Sequence, residues 1–417
     1  MRVLYLNPDR GIPVLGDKGA SVHVRQFIAA LASAGHDVML VAARLGEGNP
    51  PPPAAIVEIE PLSDPETIIE EARARGIPAP GSPDKLLRNE LVRLAYDRHL
   101  SARTVEVVTE RGFRPDLVYE RHALFHVCGA VVARAFGVCR IVEVNAPLVR
   151  EQEAFRGLVM KPAAIQAERD SLVSANLIVA VSDEVAAHVE TCGVDARRIL
   201  VAPNGVDTDL FRPAVDRGGA RARLGLGAGP VLGFVGSFKP WHGVSFLVEA
   251  FAEIARQRPD ARLLAIGEGP QLGAARARIA DLGLERQVLF TGRLPHADIP
   301  AHMEAMDISA APYDLGGEFY FSPMKVVESL AAGVPVVAVR AGQLASLVDD
   351  GNTGLLYPPG DRAAFVHAVL KLMADPVLLG AMAANARERA KGGFSWSALV
   401  CRVLEKAARL ERERRAA

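Results

Sequence analysis

The chain lacks an excess of charge in either direction. Acidic and basic side chains number 49 and 48 among its 417 residues, so no global field draws it to nucleic acid, and nucleic acid is not expected as a partner. Aromatic residues are few, at 6%, but half of the chain is hydrophobic and 23% is charged. That balance matches an ordinary soluble globular enzyme and excludes a disordered or fibrous chain. The four cysteines, Cys128, Cys139, Cys192 and Cys401, include no C-x-x-C pair, so neither a zinc ribbon nor a redox motif is spelled, and reduced, mostly buried thiols are expected. A long apolar run is also missing at the start. Val3-Leu4-Tyr5-Leu6 passes at once into Asn7-Pro8-Asp9-Arg10, too short for a signal segment or a membrane span. A cytoplasmic protein is expected, and peripheral membrane contact through a surface helix is compatible with that.

What is present is alternation. The length exceeds the size at which one core stops growing, so two domains of roughly 200 residues are expected. Val3 to Leu6, the glycine loop Gly16-Asp17-Lys18-Gly19, a periodic stretch to Ala34, and Val38 to Ala42 read as a βαβ unit. Strand patterns recur at Leu117 to Tyr119, Ile141 to Val144, Leu177 to Val181 and Ile199 to Ala202. A second series follows at Val231 to Val235, Leu263 to Ile266, Val288 to Phe290, Ile308 to Ala310 and Val336 to Val339. Strands separated by helical stretches predict parallel sheets covered on both faces. The prolines at 50–53 and Pro78-Ala79-Pro80-Gly81 mark residues of about 48 to 115 as an irregular insertion ahead of a charged helix. Turn formers around Pro213 and Asp216-Arg217-Gly218-Gly219 mark a linker. The expected division is therefore 1–212, 213–395, and a C-terminal helix over 396–417 whose arginine- and glutamate-rich end makes a solvated face.

Two strand-to-helix turns carry candidate chemistry. After Val231 to Val235 comes Gly236-Ser237-Phe238-Lys239-Pro240-Trp241-His242-Gly243, where small residues let backbone amides face an anion and Lys239 adds a charge. The second turn is Gly317-Glu318-Phe319-Tyr320-Phe321-Ser322-Pro323-Met324-Lys325-Val326-Val327-Glu328. There Ser322 reads as an N-cap and Pro323 as the first helical residue. Lys325 and Glu328, three apart, equally suit a surface salt bridge. Two patterns are decoys. Gly267-Glu268-Gly269-Pro270-Gln271-Leu272-Gly273 imitates a dinucleotide fingerprint, but its third glycine is one residue late and no acidic residue ends the next strand. Asp207-Thr208-Asp209 imitates a metal-binding D-x-D motif beside the linker, and no catalytic metal is expected.

In order and spacing these segments resemble the retaining glycosyltransferases of family 4, which have the GT-B fold. The resemblance spans Gly16 to Gly19 with His23, Pro203 to Asp207, Gly236 to Gly243, Gly267 to Pro270, Thr291 to Arg293, Asp307-Ile308 and Ser322 to Gly333. It implies two tandem Rossmann-like α/β domains facing across a cleft, the first for an acceptor and the second for a nucleoside-diphosphate sugar, with the last helix returning to the first domain. It implies Glu328 as the ribose ligand, with Ser322, Pro323 and Met324 at the diphosphate. Arg293 and Leu294 fall in the strip that reads the nucleobase, and Gly16, Gly19 and Gly236 lie in donor-facing loops. The family's first paired glutamate falls on Tyr320, which leaves Glu318 to reach the donor sugar. Its usual arginine and lysine fall on Ser237 and His242, leaving Lys239 and Lys325 as the phosphate cations. His122, after the strand ending Tyr119-Glu120-Arg121, matches a histidine that touches the transferred sugar, with Arg121 as competitor. Lys18, His23, Glu143 and Asn145 fall at the acceptor side, Glu143 and Asn145 facing either the acceptor or only solvent and loop backbone.

The expected activity is sugar transfer with retention of configuration, without metal or cofactor, to an acceptor that is a saccharide, a lipid-linked group or a small molecule. A non-catalytic sugar-nucleotide or glycan-binding protein and a sugar-nucleotide epimerase are the alternatives on the same fold.

Overall fold

A computed structural model describes residues 1–74, 84–314 and 319–416. They form two compact units, Met1–Pro203 with Leu399–Ala417, and Asn204–Ala398. The first holds strands β1 (Arg2–Asn7), β2 (Asp37–Ala42), β3 (Ala55–Glu58), β4 (Leu117–Arg121), β5 (Cys139–Val144), β6 (Leu177–Ala180) and β7 (Ile199–Val201). They pair in the order β3-β2-β1-β4-β5-β6-β7, every neighbour parallel. The second holds β8 (Val231–Val235), β9 (Arg262–Ile266), β10 (Val288–Gly292), β11 (Ile308–Ala311), β12 (Val336–Val339) and β13 (Gly354–Tyr357), in the parallel order β10-β9-β8-β11-β12-β13. Central strands read as unbroken apolar runs because crossover helices cover both faces; Val3 to Leu6 and Val231 to Val235 are buried throughout. In each sheet the winding direction reverses beside the first strand, between β1 and β4 and between β8 and β11. Loops leave such a switch point in opposite directions and open a crevice there.

Every strand expected from the sequence is present, and two edge strands, β3 and β13, were not anticipated. The stretch expected as an irregular insertion contains β3, a helix over Pro65–Ala74 and a long helix over Asp84–Glu110. Only Val57 of β3 is buried, so this strand follows its prolines without a pattern to reveal it. Pro78-Ala79-Pro80-Gly81 lies outside the described residues. The units divide before Asn204, ahead of the composition shift at Pro213. Segment 204–212 is tied into the second unit: Arg387 Nη1 donates to the carbonyls of Thr208, Phe211 and Ala331 at 2.8–2.9 Å, and Phe211 is 1% exposed in that core. The composition shift therefore marks a surface turn inside a domain.

The last helix, Trp396–Ala416, joins the first unit from Leu399 onward, where Ala407, Leu410, Glu411 and Arg414 line a cavity with Cys139, Asn176, Leu177 and Arg198. Arg409, Arg414 and Arg415 pair on its exposed side with Glu413 and Glu411, the solvated face expected. All four cysteines are free, but only Cys128 is buried; Cys139 and Cys192 are half-buried and Cys401, on the outside of the last helix, is exposed. This corrects the expectation of mostly buried thiols. Among the described residues no single helix is long and apolar enough to cross a membrane.

The first unit also buries an ion pair. Arg140 Nη1 lies 2.5 Å from Glu120 Oε2, both side chains 1% exposed, and Glu120 Oε1 accepts from the Gly129 amide. Removing one partner leaves the other charge buried without compensation. Glu120→Ala should therefore cost about 3–5 kcal/mol, with the double variant Glu120→Ala/Arg140→Met recovering much of it. Urea unfolding of the three proteins checks this order.

Candidate functional site

At the switch point of the second sheet, β8 runs into Gly236-Ser237-Phe238-Lys239, a single turn over Pro240–His242, and the helix Val244–Gln257. Gly243 has φ +69°, and a Cβ there would stand 1.6 Å from the Pro312 carbonyl oxygen. Only glycine lets this turn close against the end of β11. A Cβ on Gly236 would lie 3.0 Å from His242 Nδ1 and 3.3 Å from Lys325 Nζ. The glycine thus sits directly beside an imidazole and an ammonium.

Lys325 comes from the helix Met324–Ala331, which follows β11. Its Nζ stands 4.4 Å from the ring centroids of both Phe234 and Tyr313, is sealed from solvent, and has no hydrogen-bond partner among the described residues. Burial drives its pKa down to about 7, because the charged form is the one that loses hydration. The His242 ring meets Tyr313 edge-on at 5.4 Å. Burial, and then the neighbouring Lys325 charge, hold its pKa down at about 3, against a hydrogen bond from the ring to the Ser237 backbone carbonyl that raises it. His242 is neutral at pH 7.

Glu328, on the same helix, is 4% exposed. Its Oε1 lies 2.7 Å from His296 Nε2, and the His296 ring packs 5.3 Å from Phe211. The surface salt bridge between Lys325 and Glu328 is therefore not formed: one side chain turns to the rings beside Gly236, the other to His296. His296 was not picked out from the sequence. It stands 32 residues from its partner, and only its place just after the Gly292-Arg293-Leu294 strip could have drawn attention to it.

Ser322 is not the N-cap. Pro323 occupies that position, with no side-chain cap, because Ser322 Oγ accepts from the Asn204 amide at 2.9 Å while Asn204 Nδ2 donates to the Ser322 carbonyl at 2.7 Å. Lys239 is exposed and rests over the Trp241 ring at 4.9 Å, so it is Lys325 that the fold brings to Gly236. Ser237 is exposed, its Oγ 3.5 Å from His242 Nδ1. Arg293 is exposed, 3.6 Å from Glu268, while Leu294 packs on the core. Met324 is half-buried, Tyr320 meets Phe321 edge-on, and Glu318 lies outside the described residues. Of the decoys, the Gly267 to Pro270 loop braces the Gly236 turn through Phe238 N to Glu268 O at 2.8 Å. Asp207 Oδ1 accepts from the amides of Asp209 and Leu210 in a local turn.

The first unit gathers its expected residues around one carboxylate. Glu143 accepts from His23 Nε2 at 2.7 Å, Tyr119 Oη at 2.8 Å, Arg121 Nη1 at 2.6 Å, and Asn145 Nδ2. Burial alone would raise its pKa, but His23, Arg121 and Asn145 outweigh it and hold the carboxylate far below the usual range. Glu143 is thus turned away from solvent and orients His23, Arg121 and the half-buried Asn145. Lys18 is exposed and donates to the Gly11 carbonyl, the Gly16 carbonyl accepts from Arg25, and Gly19 opens the helix Gly19–Ser33. His122 follows β4 with its side chain 2% exposed, and neither ring nitrogen has a hydrogen-bond partner among the described residues.

Comparison with known proteins identifies the family. Residues 18–210 match the family described as Glycosyltransferase Family 4, and residues 229–375 match Glycosyl transferases group 1. A GDP-mannose-dependent alpha-(1-6)-phosphatidylinositol monomannoside mannosyltransferase of Mycolicibacterium smegmatis is 32% identical over 284 residues, 65% of this chain and 74% of that one. A D-inositol 3-phosphate glycosyltransferase of Acidothermus cellulolyticus is 30% identical over 411 residues, 94% of this chain and 86% of that one. The structure of Anabaena Alr3699/HepE in complex with UDP superposes with a TM-score of 0.69 at 20% identity, covering 98% of this chain and 100% of that one. With both units matched and a relative aligned along almost its whole length, the chain belongs to glycosyltransferase family 4 and has the GT-B fold.

Proposed function

We propose that this glycosyltransferase takes its sugar from a nucleoside-diphosphate donor, whose diphosphate is held by Lys325 and the amides at the start of the helix Met324–Ala331. The observation that carries this reading is the buried Lys325 ammonium beside Gly236 with no hydrogen-bond partner among the described residues. An unpaired buried charge is costly, and an anion beside the glycine turn would relieve that cost. The relatives support the donor class: one is named for GDP-mannose and the Anabaena protein holds UDP, and a nucleoside diphosphate is common to both. They also support an acceptor that offers a cyclitol or sugar hydroxyl, since two are named for inositol-containing acceptors.

Cleavage of the sugar–phosphate bond places negative charge on the departing phosphate, so catalysis needs fixed positive groups aimed there. In the proposed mechanism Lys325 and the helix amides supply them in place of a metal, and neutral His242 adds a hydrogen bond. The acceptor hydroxyl attacks from the leaving-group face and gives its proton to the phosphate oxygen, which retains configuration without an enzymic nucleophile. Glu328, oriented by His296, receives the ribose hydroxyls, and His122 touches the transferred sugar.

The first test is transfer itself. Nucleoside diphosphate should be released from a UDP- or GDP-sugar only when an inositol- or sugar-type acceptor is added, and release should persist in excess chelator. Conversion of the donor without acceptor would indicate an epimerase, and binding without turnover a binding protein.

Lys325→Met should lower turnover on the order of 10²–10³-fold and weaken both UDP and pyrophosphate roughly ten- to a hundredfold, as expected for a lost charge-assisted bond of about 1.5–3 kcal/mol. The pH dependence has a definite sign. The free ammonium is charged below its pKa of about 7 and neutral above it. Diphosphate affinity should therefore fall as pH rises above about 7, by at most roughly tenfold per unit, and calorimetry on Lys325→Met should show no fall in that window. The unliganded variant should also melt higher than wild type. Because the folded pKa is lowered, that gap should be widest below pH 7 and close as pH rises toward the ordinary lysine value.

Glu328→Gln should behave differently. It should weaken UDP or GDP while leaving pyrophosphate binding unchanged, because pyrophosphate has no ribose. Equal weakening of all three ligands would remove Glu328 from the ribose.

A further inference from the structure

Behind His122, whose Nε2 lies 3.7 Å from Glu168 Oε1, the first unit holds three polar side chains that converge on one point. Glu168 lies on the helix Lys161–Val173; His188 and Cys192 stand one turn apart on the helix Asp183–Thr191, which Cys192 caps. His188 Nε2 is 3.2 Å from Glu168 Oε2, Cys192 Sγ is 3.8 Å from the same oxygen, and Sγ is 3.9 Å from Nε2. Zinc bonds of about 2.0–2.3 Å in a tetrahedral arrangement put neighbouring N, O and S ligand atoms about 3.4–3.6 Å apart, so each separation is within a few tenths of an ångström of that demanded by an ion.

We infer that Glu168, His188 and Cys192 bind one divalent transition-metal ion of the zinc class, which clips the two helices together. Two observations favour ligation over a simple ion pair or a catalytic relay. Sulfur and carboxylate both approach the same ring nitrogen, Nε2, whereas a relay from nucleophile to base to orienting carboxylate uses the two nitrogens separately. In addition, Glu168 Oε1, on a side chain 7% exposed, has no hydrogen-bond partner among the described residues, its ion-pair contact with His122 Nε2 being 3.7 Å long. The carboxylate therefore keeps acceptor capacity in a buried place, which an ion would use. Half-buried Cys192 gives access from solvent. A second cluster, Asp97, His126 and Cys128, differs on this point: Asp97 Oδ1 is already taken by the Val127 and Cys128 amides, and Cys128 Sγ by Glu120.

On binding, the Cys192 thiol and the His188 imidazolium each release a proton to solvent, and the thiolate, the neutral imidazole and the Glu168 carboxylate become the ligands. The sugar transfer proposed above does not run through the ion, whose place is structural, behind His122.

The test uses the untagged full-length protein, stripped with chelator and desalted. Titration with Co²⁺ should produce a thiolate-to-cobalt charge-transfer band that saturates at one ion per chain and is displaced by Zn²⁺, and Zn²⁺ should raise the melting temperature. Cys192→Ser should abolish the band, and both it and Glu168→Gln, which keeps side-chain volume, should weaken Zn²⁺ at least about 10–100-fold, the cost seen even for outer-shell losses. Cys401→Ser, altering the exposed thiol, should change neither. Circular dichroism of each variant confirms folding, and Glu168→Gln carries the test if Cys192→Ser does not fold. Absence of the band in wild type, or a band lost in Cys401→Ser and kept in Cys192→Ser, overturns the assignment and leaves Glu168 and His188 an ion pair.

Discussion

Parallel strand pairing is the constraint on which the rest of this structure depends. A parallel ladder cannot be closed by a tight turn, so each strand must be followed by a crossover that covers a face of the sheet. All carboxyl ends then lie along one edge, and where the winding reverses two adjacent loops part. In the second unit that place falls between β8 and β11, and the Gly236 turn, the Pro312-Tyr313 segment and the helix bearing Lys325 and Glu328 all issue from it. In the first unit the same rule brings His122 and Asn145 to the ends of adjacent strands β4 and β5.

Buried charge is treated in two ways. Glu143 is surrounded by four donors, and Arg140 is matched by Glu120 with further bonds to Ser171 and Ser174. Apart from Arg140 Nε, which has no hydrogen-bond partner among the described residues, these groups are satisfied within the fold, so their role is to hold neighbours in place. Lys325 lies over the faces of Phe234 and Tyr313, which offer an ammonium partial compensation through their quadrupoles, and it has no hydrogen bond among the described residues. A charge left so is costly to the free protein and valuable to an anionic ligand. Stability given up at a binding site in this manner is a general pattern.

Moving the cation also changes its mechanics. The family resemblance expects arginine and lysine in the Gly236 to Gly243 turn, where this chain has Ser237 and His242. The ammonium arrives instead from a helix whose following residues Val326, Val327 and Leu330 are locked in the core. A charge on a packed helix is held more firmly than one on a loop, and preorganised charge is what stabilises a developing phosphate most. Lys239, which stayed in the loop, lies over exposed Trp241.

The sequence by itself determined the strand series, the two-domain α/β class and the family, because apolar runs, glycine turns and motif order are local and survive without knowledge of contacts. It also singled out Lys325 and Glu328. It missed β3, an edge strand with one buried residue, and β13, a partly buried run of only four residues, and it set the domain boundary at a turn because composition does not reveal that Arg387 gathers 204–212 into the second core. Partner choice was beyond it altogether. Lys325 and Glu328 are three residues apart yet turn to different neighbours, His296 meets Glu328 across 32 residues, and Ser322 forgoes its cap for Asn204, 118 residues away. Those pairings are decided by which helix faces and loop ends the folded sheets bring within hydrogen-bonding distance, and sequence spacing carries no record of that.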